Sequence, residues 1–388
     1  MTGQARLAAL LGLLAAFGPL SIDMYLPALS EIGQDLGGGM EGAQLTLAAY
    51  FLGMAAGQLL HGPLSDRLGR RRPLFVGLVV YIVASALCAL ATSMDALIAL
   101  RLLQALAGCA GMVISRAVVR DVADQMDPVR LMGRLMLVMG VAPILAPLIG
   151  GYVAAWFGWR AIFWFLALIG LAALLLCMAF LEESLPEERR RRVPLLAVLR
   201  SYASLLANAR FMGVALASGC AICGMFAYIV GSPFVFIELN GVAPEHYGWL
   251  FGAAALGFVA VSQLSAGLAN RFGREVVFTL TIGALAACGI SLILLTWLAA
   301  PFFAGYAMIF LYVSLLGLAL PLGTIIAITP FGHMAGTASA LLGTLQFGMG
   351  AVSGGLISAL HDGSAMPMAV TIGIAGSAAL VARLSLRR

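Results

Sequence analysis

Gly62-Pro-Leu-Ser-Asp66-Arg67-Leu-Gly69-Arg70-Arg71-Arg72-Pro73 is a short charged turn between two long apolar runs. Its core recurs later in the chain. Ala266-Gly-Leu-Ala-Asn-Arg271-Phe-Gly273-Arg274 follows the same pattern, with Arg271, Gly273 and Arg274 standing 204 positions after Arg67, Gly69 and Arg70. The same offset carries Arg6, just before the first apolar run, onto Arg210, just before the seventh. The chain therefore reads as two halves repeated in parallel, an organisation found among membrane transporters.

Composition sets the solvent. Of 388 residues, 62% are hydrophobic and only 10% are charged, against roughly 45–50% and about 25% in soluble domains. Mean hydropathy is +1.03. No water-soluble fold hides that much apolar surface, so lipid surrounds most of this chain. The net charge of +5 does not indicate a nucleic-acid binder. The arginines are scattered between apolar runs rather than gathered on one soluble face.

Twelve runs approach the roughly 20 residues a membrane helix needs. They cover 7–29, 42–64, 73–92, 96–119, 131–155, 161–181, 211–236, 247–268, 276–297, 302–327, 335–360 and 365–384. Gly37-Gly38-Gly39, Gly69 with Pro73, Asp127-Pro128, Gly158, Gly241 with Pro244, Gly273 and Asp362-Gly363 punctuate them. The alternation of a β-barrel is missing. No cleavable leader is expected, because the first run is too long and lacks a small-residue cleavage site.

All 22 basic residues are Arg. With the N-terminus inside, 19 fall on the cytoplasmic side; only Arg160 falls outside, and Arg101 and Arg116 lie within spans. The expected fold is all-α and integral to the membrane, with both termini cytoplasmic. Residues 1–181 form one six-helix bundle, 182–210 a cytoplasmic linker carrying Arg189 to Arg192, and 211–388 the second bundle. The six cysteines lie in apolar runs and read as packing residues; Cys220-x-x-Cys223 has a redox spacing but no redox context.

Several stretches resemble a known family. The Gly62–Pro73 turn resembles the signature loop of the major facilitator superfamily. Gly140-Val-Ala-Pro143-Ile-Leu-Ala-Pro147-Leu-Ile-Gly150-Gly151 is similar to the proline–glycine motif of its drug/proton antiporter branch, with Ala146 where the general motif has Gly. Pro19-Leu-Ser-Ile-Asp23-Met-Tyr-Leu-Pro27-Ala-Leu, Ser232-Pro-Phe-Val-Phe-Ile-Glu238 and His333-Met-Ala-Gly-Thr-Ala-Ser339 resemble the Bcr/CflA subfamily, above all its bicyclomycin-resistance exporters. The resemblance implies proton-driven export of small drugs from a bacterial inner membrane.

Asp23 is the one acid deep inside a span. A mid-membrane charge costs roughly 2.5–3.5 kcal/mol and marks a functional site by default. Leaving water disfavours a carboxylate's charged form, which suits this group to load and release a proton. Arg101 is its expected partner. Each stands about five or six residues from the outer end of its run, so both lie roughly 8–9 Å below the outer surface. Arg101 also resembles the Arg of the family's fourth-helix motif, with Gln104 and Gly108 following.

The second half has no charge deep in a span, so it is expected to supply shape and apolar contact. Its candidate cavity lining is Phe226, Tyr228, Phe234 and Phe236 on span seven, with Gln346 and Phe347 on span eleven. Tyr50 and Met54 on span two join them from the first half. The charged loop reads as a gate. Asp66 is expected to cap the following helix, while Arg67, Arg70 and their neighbours reach Asp121, and Arg116 and Arg120 join the cluster. Gly62 and Gly69 shape the turn. Pro143 and Pro147 bend span five, and Gly140, Gly150 and Gly151 let a neighbour approach.

No nucleotide-binding loop, hydrolase elbow or metal-binding helix motif occurs. The expected partners are a small drug, protons and lipid, with no cofactor, metal or nucleic acid, acting on a monomer. Alternatives are a proton-coupled importer or a metabolite exporter of the same fold and, from another class, a membrane sensor or enzyme. An aromatic cavity with one acid and one Arg suits bicyclomycin, phenicols and sulfonamides alike.

Overall fold

The structure, a computed structural model, describes residues 3–122, 128–190 and 195–386. Asp127 of the predicted turn and Arg191, Arg192, Arg387 and Arg388 lie outside these residues. Among the described residues there are twelve helical segments long and apolar enough to cross a membrane, and no strand.

The first segment, Arg6–Asp35, extends past the expected end at 29 because Ser30 to Asp35 continues helically. It is broken in the middle. Helix α1 (Gly3–Asp23) stops, a tight turn spans Leu26–Ala28, and α2 (Leu29–Asp35) resumes. Pro27 explains the stop: its nitrogen carries no hydrogen, so the Asp23 carbonyl has no helical donor. The remaining spans are α3 (Gly39–Leu68), α4 (Arg71–Ala89), α5 (Met94–Asp121), α6 (Pro128–Phe157) and α7 (Trp159–Phe180), then a linker helix α8 (Leu195–Leu206). The second half holds α9 (Ala209–Pro233, continued by a π turn to Leu239), α10 (Pro244–Ser262) with α11 (Ser265–Phe272), α12 (Arg274–Trp297), α13 (Phe302–Ile328), α14 (Ala335–Ala359) and α15 (Met366–Ser385).

The internal repeat persists in the backbone. Gly69 and Gly273 both sit at positive φ, +87° and +86°, each ending one helix and opening the next. That conformation is open to glycine without a steric penalty. Trp156, Phe157, Trp297 and Phe303 are exposed near helix ends on the arginine-poor side, an arrangement suited to a membrane interface.

The halves meet along α3 against α14 and α6 against α10, and the Leu26–Ala28 turn touches α9 and α10. Small residues permit this closeness. Gly354 of α14 lies on Ala48, Gly248 of α10 lies on Leu148, and Gly151 of α6 faces the Pro244 carbonyl. Two hydrogen bonds cross the divide: Thr344 Oγ1 to the Ala55 carbonyl at 3.2 Å and Ser358 Oγ to the Glu41 carbonyl at 3.0 Å. Helix α6 carries Pro143 and Pro147 along this seam, with Gly150 pressed on the Met24 backbone beside the break in span one and Gly140 near Val259 of α10.

Candidate transport site

Asp23 occupies the last position of α1, at the break. It lies twelve residues from the end of its span at Asp35, about 18 Å along the axis, and is deeper than the sequence reading placed it. The side chain is 4% exposed. Among the described residues it has no ion-pair partner and no side-chain hydrogen bond. Tyr50 of α3, Tyr228 of α9 and Tyr247 of α10 all feel its charge. The acid therefore stands where span one touches the second half.

Arg101 is fully buried, and the expected ion pair with Asp23 is absent from this conformation. Its Nη2 donates to the Ser21 carbonyl at 3.0 Å, and its Nη1 donates to Gln104 Oε1 at 2.6 Å. Gln104 donates to Ser85 Oγ at 2.7 Å, Ser85 donates to the Tyr81 carbonyl at 2.7 Å, and the Tyr81 hydroxyl returns to Ser21 Oγ at 2.6 Å. The ring of bonds closes through spans one, three and four. The guanidinium also lies over Tyr50 at 4.2 Å, Tyr25 at 4.7 Å and Phe163 at 5.7 Å.

The physical reason is the break. A helix that stops leaves its last carbonyls without donors and its C-terminus partially negative. Arg101 satisfies one of them and lies among aromatic faces that attract a cation. Asp23 follows Ser21 by two residues, so its side chain leaves the helix on another side. Ser21, Tyr25, Tyr81, Ser85 and Phe163 escaped the sequence reading. Their only signal was a polar atom or a ring inside an apolar run.

The cavity candidates divide. Tyr50 is buried, covers Arg101 with its ring and leaves its hydroxyl without a partner. Met54 is buried beside Gly18, which Met112 also approaches. Phe226 packs on Phe51 of the first half at 4.3 Å and on Phe347 at 5.8 Å, so three rings bridge the halves. Tyr228 stacks on Phe251 at 5.3 Å, and its hydroxyl is also unpartnered. Gln346 is half-buried. Two candidates fall away. Phe234 packs against His361 at the far end of span eleven, and Phe236 sits among Tyr247, Phe302 and Tyr306 in the core of the second bundle. Aromatic residues two apart on a helix face different directions, which composition cannot show.

On the arginine-rich face Arg70 alone organises the cluster. It donates through Nε to Asp121 Oδ2 at 2.8 Å and through Nη1 to Asp66 Oδ1 at 2.6 Å and Ser65 Oγ at 2.9 Å. Burial opposes its charge, but Asp121 and then Asp66 outweigh that and hold Arg70 above the ordinary guanidinium range. Asp66 does not cap the next helix. Glu183, just after span six, does so: its carboxylate accepts from the Arg70 and Arg71 backbone N–H groups at 2.8 and 3.2 Å. Ser184 adds a bond to Asp121 at 3.0 Å. Gly69 is required here, because a Cβ would meet the Glu183 carboxylate.

Arg67 and Arg120 are exposed, and Gly62 is half-buried beside them in sequence with open space around its Cα. Arg116 does not join the cluster. Asp121 is 14% exposed and Asp66 46%. Asp121→Ala is therefore expected to cost about 2 kcal/mol by stranding a buried guanidinium, and Asp66→Ala under about 1 kcal/mol. Melting of the two purified variants in detergent tests the order; equal losses would contradict it.

A family model described as Major Facilitator Superfamily matches residues 11–355. The uncharacterized MFS-type transporter YdgK of Bacillus subtilis is 37% identical over 376 residues, covering 95% of this chain and 92% of the relative. A bicyclomycin resistance protein homolog of Haemophilus influenzae is 30% identical over 363 residues, covering 94% and 91%. Among solved structures, a mutant form of the nucleoside transporter NupG superposes with a TM-score of 0.77 at 13% identity, covering 100% of this chain and 99% of that one. At that identity the likeness concerns the fold alone.

Proposed function

The chain belongs to the major facilitator superfamily; it is a multi-pass inner-membrane transporter and not an enzyme, and we propose that it exports small drug-like molecules in exchange for protons. Asp23 is the coupling acid in this reading. The observation that carries it is a buried, unpartnered carboxyl at a helix break, where span one touches the second half. An acid placed there exchanges its proton only when the halves move apart, so its charge is tied to the alternating states. The arginine-rich face is cytoplasmic, and both termini lie there.

Substrate binds between Asp23, Tyr50 and Met54 on one side and Phe226, Tyr228, Gln346 and Phe347 on the other. The free hydroxyls of Tyr50 and Tyr228 offer polar contacts within an aromatic surround. Similarity to a bicyclomycin resistance homolog favours bicyclomycin-type, phenicol or sulfonamide substrates. One proton moving down 100 mV supplies about 2.3 kcal/mol per cycle.

The test uses proteoliposomes with an entrapped pH dye and a resistance panel in a pump-deficient host. Bicyclomycin or chloramphenicol is expected to drive counter-movement of protons. Co-movement of substrate and proton in the same direction would make the protein an importer and overturn the proposal.

A further inference from the structure

We propose that Arg116 is an anion-receiving site at the arginine-rich mouth of the pathway, and that it selects substrates bearing an acidic or strongly electron-rich group over lipophilic cations. This deepens the exporter reading and rests on it. Arg116 belongs to α5, 15 residues beyond Arg101, about 22 Å along the helix. The two arginines thus mark two depths of one helix.

The direction of Arg116 follows from its neighbours. Ala107 of α5 packs on Gly77 of α4. Arg116 is nine residues further, two and a half turns, so it projects away from α4. Arg120, one turn beyond Arg116, brings its Nη1 against Gly336 at the start of α14 in the second half. This side of α5 therefore looks across the seam between the halves.

Arg116 is only partly exposed, its Nε is buried without a hydrogen-bond partner, and among the described residues no acid pairs with it. Nearby acids are engaged elsewhere. Asp66 and Asp121 bind Arg70, and Glu183 caps α4. The second half has four acids, Glu238, Glu245, Glu275 and Asp362. Glu275 is taken by Arg383 and approached by Arg210 at 3.9 Å, and the other three lie towards the arginine-poor end of their helices.

Arg116 and Arg120 are like charges at i and i+4, a mutually repelling pair. The α5 C-terminus offsets part of that repulsion. A carboxylate, sulfonamide anion or phenolate offsets the rest with charge-assisted hydrogen bonds. A lipophilic cation meets only repulsion there. Buried charge in the spans points the same way: one acid, Asp23, stands against two arginines, Arg101 and Arg116, and the second half contributes no deep charge.

The anion has two sources, a substrate or an anionic lipid headgroup, and the experiment separates them. Purified wild type, Arg116→Gln and Arg116→Lys are placed in phosphatidylcholine nanodiscs. Equilibrium binding is measured for nalidixate (an anion), chloramphenicol (neutral) and tetraphenylphosphonium (a cation). Arg116→Gln is expected to weaken nalidixate about tenfold or more and to change chloramphenicol far less, which also shows that the variant is folded. Arg116→Lys should retain most of the nalidixate affinity, because it keeps the charge. The proposal is overturned if wild type does not bind nalidixate, if Arg116→Gln leaves nalidixate unchanged, or if tetraphenylphosphonium binds wild type more tightly than nalidixate. Phosphatidylglycerol that displaces nalidixate from wild type but not from Arg116→Gln would assign the site to lipid and overturn the substrate claim. The exporter reading fails separately: cells expressing wild type would then resist none of the three compounds, whatever the nanodiscs bind.

Discussion

Asp23→Asn inserts, folds and reaches the membrane at the wild-type level, yet confers no resistance and moves no protons in response to substrate. The amide keeps the size of the side chain and some of its polarity but cannot carry the charge. The acid has no ion pair or side-chain hydrogen bond among the described residues, so removing its charge strands no buried cation. Melting of the purified variant should stay near wild type, because neither state loses a partnered group. Substrate-induced proton release, read from a pH dye in lightly buffered solution, is expected to vanish. Asp23→Glu, one methylene longer, should keep a fraction of turnover. Proton release surviving in Asp23→Asn would place the coupling acid elsewhere and remove the central residue of the proposed mechanism.

Arg101→Ala is expected to behave in the opposite way, failing first in stability. The guanidinium supports the end of α1, holds Gln104 and fills a space walled by Tyr25, Tyr50 and Phe163. Truncation leaves the Ser21 carbonyl and the Gln104 amide short of partners and opens a void among three rings. The loss is about 4 kcal/mol, the scale for removing one member of a buried charged network. Arg101→Lys recovers the charge and part of the ring attraction but not the two-pronged link from Ser21 to Gln104. Melting in detergent and the yield of monodisperse protein read this directly.

A double variant distinguishes the two roles. Where Arg101 acts through the helix break, Arg101→Ala with Asp23→Asn loses as much stability as Arg101→Ala alone, since Asp23→Asn adds no stability loss. Rescue of stability by Asp23→Asn would mean that the two charges are coupled after all, through the ion pair that this conformation lacks.

Much of the site was legible in the residues themselves. Asp23 stands out because a lone acid in an apolar run carries a cost that packing rarely justifies. Arg70 and Asp121 were named as cluster partners because both fall at helix ends on one face. Glu183 was not, although Glu182-Glu183-Ser184 follows span six directly. Nothing local shows that this acid folds back over the turn at Gly69, more than a hundred residues earlier. Arg116 was placed with the cluster on its one-turn spacing from Arg120, but helical spacing says which residues share a face and not what stands opposite.

The sequence by itself determined the solvent, the twelve spans, the two repeated halves and the one buried acid. Each of these is a sum over neighbouring residues or a comparison of the chain with itself: hydropathy over about twenty positions, or a pattern returning 204 positions on. The tertiary structure alone decided what those elements do to one another. It broke span one at Asp23, turned Arg101 to the freed carbonyl of Ser21, and sent Phe234 and Phe236 into packing while Phe226 bridged the halves. In lipid every helix is apolar nearly all round, so the pattern of residues does not reveal which side meets a neighbour. That choice is made by small residues such as Gly150, Gly151, Gly248 and Gly354, which let particular backbones touch.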